Sequence, residues 1–200
     1  MIATRIGLGS DPMPKIAILS ASVRTGRKSH RTALFLQRFI ETKQLGEVDL
    51  IDLAAADFPI FHERLKNLEP KPSAAVEFAQ RIVAADGVII VTPEYNSGYP
   101  AALKNVVDLL YEEWYRKPVA ICTNSDGAFG GMQVITSLQF SLWKIRAWTV
   151  PALLPIPKVG TAFDENGVPA EPEAMEKRAM GFVKELLWCV QAKALMDAKS

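Results

Sequence analysis

Five short apolar segments recur along the chain, with helical patterns set between them. Ile16-Ala17-Ile18-Leu19, Gly87-Val88-Ile89-Ile90-Val91 and Pro118-Val119-Ala120-Ile121-Cys122 are too continuous to alternate in polarity. They read as strands covered on both faces, as in a parallel sheet. Val48-Asp49-Leu50-Ile51-Asp52-Leu53 is the second strand in chain order, and Trp148 to Ile156 the fifth. Pro151 and Pro155 put the fifth strand at an edge, because proline has no N–H to offer a neighbour.

Between the strands, apolar positions repeat at helical spacing. Ala33, Leu36 and Ile40 mark a helix from about His30 to Lys43. Ser73 is placed to cap a helix through Ala84, with Glu77 in its first turns. Leu103, Val106, Val107 and Leu110 mark a third helix, reaching about Glu113. A long apolar helix spans Gly131 to Ala147, and Phe182, Leu186 and Val190 align on a closing helix from Glu173 to about Ala198. Residues 54–72, with Pro59, Pro70 and Pro72, form a long connection of the kind that is functional or covers something. Residues 160–172 form another loop. Parallel neighbours need crossover connections, so this alternation demands a parallel sheet. The expected fold class is α/β: a flavodoxin-like five-stranded parallel sheet of order 2-1-3-4-5, with helices on both faces. A dinucleotide-binding Rossmann half would need a GxGxxG turn after the first strand, and none stands there.

The length of 200 residues fits one domain, expected over 15–200. Residues 1–14, with Gly7, Gly9, Ser10, Asp11 and Pro12, read as a flexible N-terminal arm. Lys and Arg number 23 against 22 Asp and Glu, so charge makes no case for nucleic acid. No run is long and apolar enough for a bilayer span, and the first fourteen residues lack the apolar centre of a signal peptide. A cytoplasmic protein is expected. Cys122 and Cys189 lie on apolar positions outside any CxxC spacing and read as buried thiols. His30 and His62 are isolated, and no metal site is expected.

Candidate chemistry gathers in the loops after strands one, three and four. In the order 2-1-3-4-5 these strands are neighbours, so the loops converge at the edge where open α/β sheets bind ligands. The first loop runs from Ser20 to Thr32, where hydroxyls, Gly26 and several cations precede a helix. A helix N-terminus favours an anion, and hydroxyls with an Arg fork complete a phosphate site. Capping by Ser29 beside solvated basic residues accounts for the same pattern. In the second loop Pro93 fixes the strand exit, and Gly98 permits close backbone approach. Glu94, Tyr95, Asn96 and Tyr99 supply a flat wall and polar edges suited to a planar ring. The third loop, Asn124 to Met132, holds Ser125, Gly127, Gly130 and Gly131 and lets backbone donors approach a ligand. A plain flexible connection is its alternative.

The second loop, continued through Lys104, Asn105 and Asp108, resembles the isoalloxazine-holding segment of the NADPH-dependent FMN reductase family. The first resembles that family's Gly-Ser-x-Arg phosphate loop, with Ala21 in the glycine position and Ser22, Val23 and Arg24 matching. The third resembles its segment ending in Gly-Gly, and the likeness spans roughly Lys15 to Ile156. The resemblance implies bound FMN, with Ser22, Arg24, Ser29, His30 and Arg31 at its phosphate. Its ring would lie across Pro93, Glu94, Tyr95, Asn96, Ser97, Gly98 and Tyr99, with Ser125, Gly127 and Gly130 opposite. It implies an enzyme that takes hydride from NADPH or NADH and passes electrons to a small-molecule flavin, quinone or azo-type acceptor. No catalytic side chain is then required, because the cofactor carries the chemistry. A flavodoxin-type electron carrier without nicotinamide turnover is the alternative, although such carriers are strongly acidic. An FMN-free binding protein that kept the fold is a third.

The helix from Gly131 to Ala147 carries Met132, Val134, Ile135, Leu138, Phe140, Leu142, Trp143 and Ile145 around too much of its circumference to cover one sheet face. Either the connection 54–72 covers the surplus or a second subunit does. The resembled family pairs in this way, which implies a homodimer or a dimer of dimers.

Overall fold

The computed structural model describes residues 12–56 and 58–199, so most of the expected arm, residues 1–11, lies outside the described part. Strands β1 (Lys15–Ser20), β2 (Glu47–Asp52), β3 (Gly87–Pro93), β4 (Pro118–Asn124) and β5 (Trp148–Ile156) form one sheet. All its pairings are parallel, in the order β2-β1-β3-β4-β5. The expected topology is the observed one.

The continuous apolar runs are explained by the two layers that cover the sheet. Side chains alternate along a strand, so each central strand must feed both faces. Val88, Ile90, Val119 and Ile121 face one layer, built by α2 (Ser73–Ala84), α3 (Ala101–Leu109) and α4 (Val134–Lys144). Ile89, Val91, Ala120 and Cys122 face the other, built by α1 (Ser29–Thr42) and α6 (Pro172–Asp197). Burial of its apolar side chains against this second layer is what holds α1, and hence its N-terminus, under the carboxyl edge of the sheet. Strand β5 pairs with β4 alone, with a register shift between Val119 and Ile121, as suits its two prolines.

Four local expectations are corrected. Helix α3 ends at Leu109 instead of Glu113. Leu110 is extended, and Glu112–Trp114 form a separate 3-10 turn whose Glu113 carboxylate accepts the Tyr111 N–H at 3.0 Å. Ser73 is the first helical residue of α2, not its cap; Pro72 holds the cap position, and no side chain caps that end. Helix α4 begins at Val134, because Gly130 and Gly131 have φ of 63° and 79° and cannot be helical. Part of the loop expected from Gly160 is instead the end of a short helix, α5 (Val159–Ala162).

The connection after β2 lies over α2 and α3. Phe58 packs edge-on against Phe78, with ring centres 5.5 Å apart, and Leu65 and Leu68 join the same apolar cluster. The Asn105 side chain donates to the Pro59 carbonyl at 2.8 Å and accepts the Phe61 N–H at 2.6 Å. Both cysteines are buried, and burial raises both thiols above their ordinary range. Among the described residues, no helix is long and apolar enough to cross a membrane, and no group of three or more His, Cys, Asp or Glu is placed to hold a metal.

Candidate cofactor site

Because β1, β3 and β4 are adjacent, the three loops that leave their carboxyl ends meet over the N-terminus of α1. The first loop turns at Gly26, whose φ is 68°. Its buried Ser22 hydroxyl lies 2.7 Å from the Tyr95 hydroxyl, joining the first loop to the second. Arg27 donates to the Ser22 carbonyl at 2.9 Å and pairs in a fork with the Asp52 carboxylate at the end of β2. Ser20 Oγ lies 3.0 Å from His30 Nδ1. Lys28 pairs with Asp126 of the third loop at 3.1 Å, and the Gly160 N–H donates to the same carboxylate at 3.2 Å.

The charges here are set by these neighbours. Burial opposes ionisation of Asp52, but the Arg27 guanidinium and the Ala54 N–H outweigh it and hold the carboxyl below its ordinary range. Burial, aided by Arg27, lowers the His30 pKa against the pull of Asp52, so the ring is neutral near pH 7. The Lys28 ammonium lowers the Asp126 carboxyl.

The second loop is a tight hairpin. Tyr95 and Gly98 exchange both backbone bonds, at 2.8 and 3.0 Å, while Asn96 and Ser97 sit at φ of 51° and 64°. Two successive positive φ values are those of a type I′ turn, and holding a serine there requires support from outside the turn. That support comes from Gln133, the residue between the third loop and α4, and from Asn124. Ser97 Oγ donates to Gln133 Oε1 at 2.6 Å, the Gln133 N–H donates to Glu94 at 3.1 Å, and the Glu94 N–H donates to the Asn124 carbonyl at 3.1 Å. Tyr99 packs on the apolar cluster, and its hydroxyl meets Ser141 of α4 at 2.8 Å.

Asn124 links all three loops. It is fully buried and accepts the Thr32 hydroxyl from α1 at 2.6 Å, while its amide faces the Thr92 carbonyl at 3.4 Å. Gly131 lies directly on its backbone, where a Cβ would stand 2.9 Å from the Asn124 carbonyl oxygen. A Cβ on Gly130 would stand 2.9 Å from the Ile156 nitrogen. The glycines thus permit a close approach that no other residue allows. Ser125 donates its N–H to the Ile156 carbonyl at 3.2 Å, and the Gly127 carbonyl accepts the Lys158 N–H at 3.3 Å.

Ser29 does not cap α1. It is the first residue of α1, that end has no side-chain cap, and Ser29 Oγ is buried with no hydrogen-bond partner among the described residues. A buried hydroxyl beside free helix N–H groups suits an anionic ligand, so the residues present fit a phosphate group. Arg31 is turned to α5, donating to the Phe163 carbonyl at 3.1 Å and facing the Gly160 carbonyl at 3.5 Å. Arg24 is exposed on the outer turn of the loop, and Pro93 closes β3. Sequence reasoning missed Arg27, Asp52, Thr32, Asn124 and Gln133. The bonds that tie them across the fold, Arg27–Asp52, Ser97–Gln133 and Thr32–Asn124, span 25, 36 and 92 residues, and no local pattern marks them.

Residues 14–161 match the profile of the NADPH-dependent FMN reductases. The chain belongs to that family. A Saccharomyces cerevisiae NAD(P)H-dependent FMN reductase is 33% identical over 138 residues, covering 62% of this chain and 71% of its own length. A Bacillus NADPH azoreductase is 32% identical over 151 residues, covering 74% of this chain and 81% of its own. Among solved structures, the Paracoccus denitrificans flavoenzyme NAD(P)H:(acceptor) oxidoreductase FerB superposes with a TM-score of 0.72. It covers 90% of this chain and 98% of its own at 24% identity, and so shows the shared fold. Family membership makes the chain an oxidoreductase with FMN as cofactor and NAD(P)H as reductant.

Proposed function

We propose that the three loops hold FMN with its phosphate at the N-terminus of α1 and its ring against the 93–99 turn. In this reading the enzyme reduces a small-molecule flavin, quinone or azo-type acceptor. The observation that carries it is the unpartnered, buried Ser29 hydroxyl at an uncapped helix end, beside the Ser22 hydroxyl and the basic loop. The Bacillus azoreductase supports the azo class of acceptor.

Bound FMN supplies a ring that accepts hydride and passes electrons onward. The chain's part is to bind and orient. Ser22, Arg24 and Ser29, with the first N–H groups of α1, hold the phosphate. Tyr95 stands between the phosphate loop and the ring turn through its bond to Ser22. The Asn96 and Ser97 N–H groups, on a turn locked by Gln133, meet the polar edge of the ring, and the glycines of the third loop bring a second backbone segment close. The single test is an absorbance spectrum of the purified protein followed by anaerobic addition of NADPH, then NADH. Bleaching of a flavin band is expected; a colourless protein that takes up no FMN would sink the proposal.

Arg24→Ala removes a charge-assisted bond to phosphate, and FMN affinity is expected to fall roughly 10- to 150-fold. An unchanged dissociation constant in a fluorescence titration would take Arg24 out of the site.

The same reading includes a homodimer in the cytoplasm. Phe140 and Trp143 stack at 5.8 Å on the outer face of α4 and are 62% and 64% exposed, with Phe129 and Met132 exposed nearby in sequence. The connection 54–72 is fastened to α2 and α3 and leaves this face open. A second copy is the cover proposed for it. Sedimentation is expected to give twice the 22.0 kDa chain mass, and Trp143→Glu to shift it toward the monomer. A wild-type monomer at micromolar concentration would end the dimer proposal.

A further inference from the structure

We propose that Asp52, the last residue of β2, is a positioning residue for the phosphate of FMN and acts through Arg27. The inference rests on the cofactor reading above and adds to it a residue that does not touch the ligand.

A carboxylate beside an anion site is unfavourable unless its charge is matched. Asp52 is matched on two sides. Its two oxygens take the fork of Arg27, and Oδ1 also accepts the Ala54 N–H at 3.0 Å. The pair is largely shielded, with side-chain exposures of 19% for Arg27 and 21% for Asp52. Arg27 is also bonded to the Ser22 carbonyl at 2.9 Å, which closes residues 22–27 into a ring braced against the sheet. Ser22, at one end of that ring, is held on its other side by Tyr95. Two residues beyond the other end stands Ser29, with its free hydroxyl. The Asp52–Arg27 pair therefore sets the distance between the two hydroxyls that would meet the phosphate. His30, bonded to Ser20 and 3.9 Å from Asp52, completes the wall behind the pair. A planar fork fixes orientation as well as distance, which an ammonium does not.

The test uses the full chain freed of flavin by dialysis, with FMN and riboflavin titrated separately by fluorescence. Riboflavin has the same ring and lacks the phosphate. Asp52→Asn is expected to weaken FMN binding roughly 10-fold while leaving riboflavin binding unchanged. Arg27→Lys is expected to reproduce that loss, and Asp52→Asn with Arg27→Lys to add little to either, since the two act as one unit. Equal losses for FMN and riboflavin would mean general damage to the fold and would overturn the inference. So would tighter FMN binding in Asp52→Asn, the result if Arg27 were itself a phosphate ligand restrained by Asp52. Failure of the unaltered protein to bind FMN is a separate outcome: it overturns the cofactor reading, and this inference with it.

Discussion

Asn124→Ala is expected to lower stability by about 1–3 kcal/mol, because a buried hydroxyl on another element loses its partner. The Thr32 hydroxyl is fully buried and bonds only to the Asn124 side chain among the contacts described, while the Thr92 carbonyl keeps its place in the β3–β4 ladder and gives up only a 3.4 Å contact. A buried polar group left unpaired costs on the order of 1–3 kcal/mol. Since Asn124 ties α1 to the ends of β3 and β4, the site should loosen along with the fold. Denaturant midpoints and FMN titration measure the two effects separately. A variant with an unaltered midpoint would show that Asn124 does not link the loops. Asn124→Asp is the companion variant, since it keeps an acceptor for Thr32.

Gly131→Ala is expected to cost about 2–3 kcal/mol for a different reason. At φ of 79° the added Cβ raises the backbone energy, and it would also press on the Asn124 carbonyl 2.9 Å away. The contact is with backbone in the middle of a sheet edge, so the neighbour cannot step aside. A fall in melting temperature of roughly 4–12 °C is expected for a domain of this size. Gly127→Ala serves as the control, because its Cβ would have no heavy atom nearer than 3.6 Å. If both variants melted together, close approach at Gly131 would not be the cause.

The strands were legible because each central one had to feed two apolar layers, leaving no room for polar alternation. The sheet order followed from the alternation of elements, and the edge position of β5 from Pro151 and Pro155. Helix ends were less legible. Leu110 fits the helical spacing of α3 because it is buried, yet its backbone is extended, and no glycine or proline announces the stop. At α4, Gly130 and Gly131 were visible as glycines, but only the structure shows that both take positive φ and delay the helix. In the site, the loops and their hydroxyls could be found by position along the strands. What holds them could not. Arg27 appeared only as one of several cations, and Asp52 as a polar residue in a strand, until folding set them side by side. Arg31 shows the converse: its place in the basic run suggested phosphate, whereas its guanidinium is directed to the carbonyls of Phe163 and Gly160.

The sheet order also bears on when the site comes into being during synthesis. Strand β1 leaves the ribosome early but must wait for β3, and β3 for β4, before the three loops have a common edge. Contacts between such distant stretches of chain form slowly, because loop-closure entropy is lost before packing compensates for it. Gly130 rests against Ile156, so even the third loop lacks its floor until β5 has been made. A nascent chain stalled before β5 should therefore carry nearly all the residues of the site and still not retain flavin. Flavin capture would then serve as a signal that the last strand has docked.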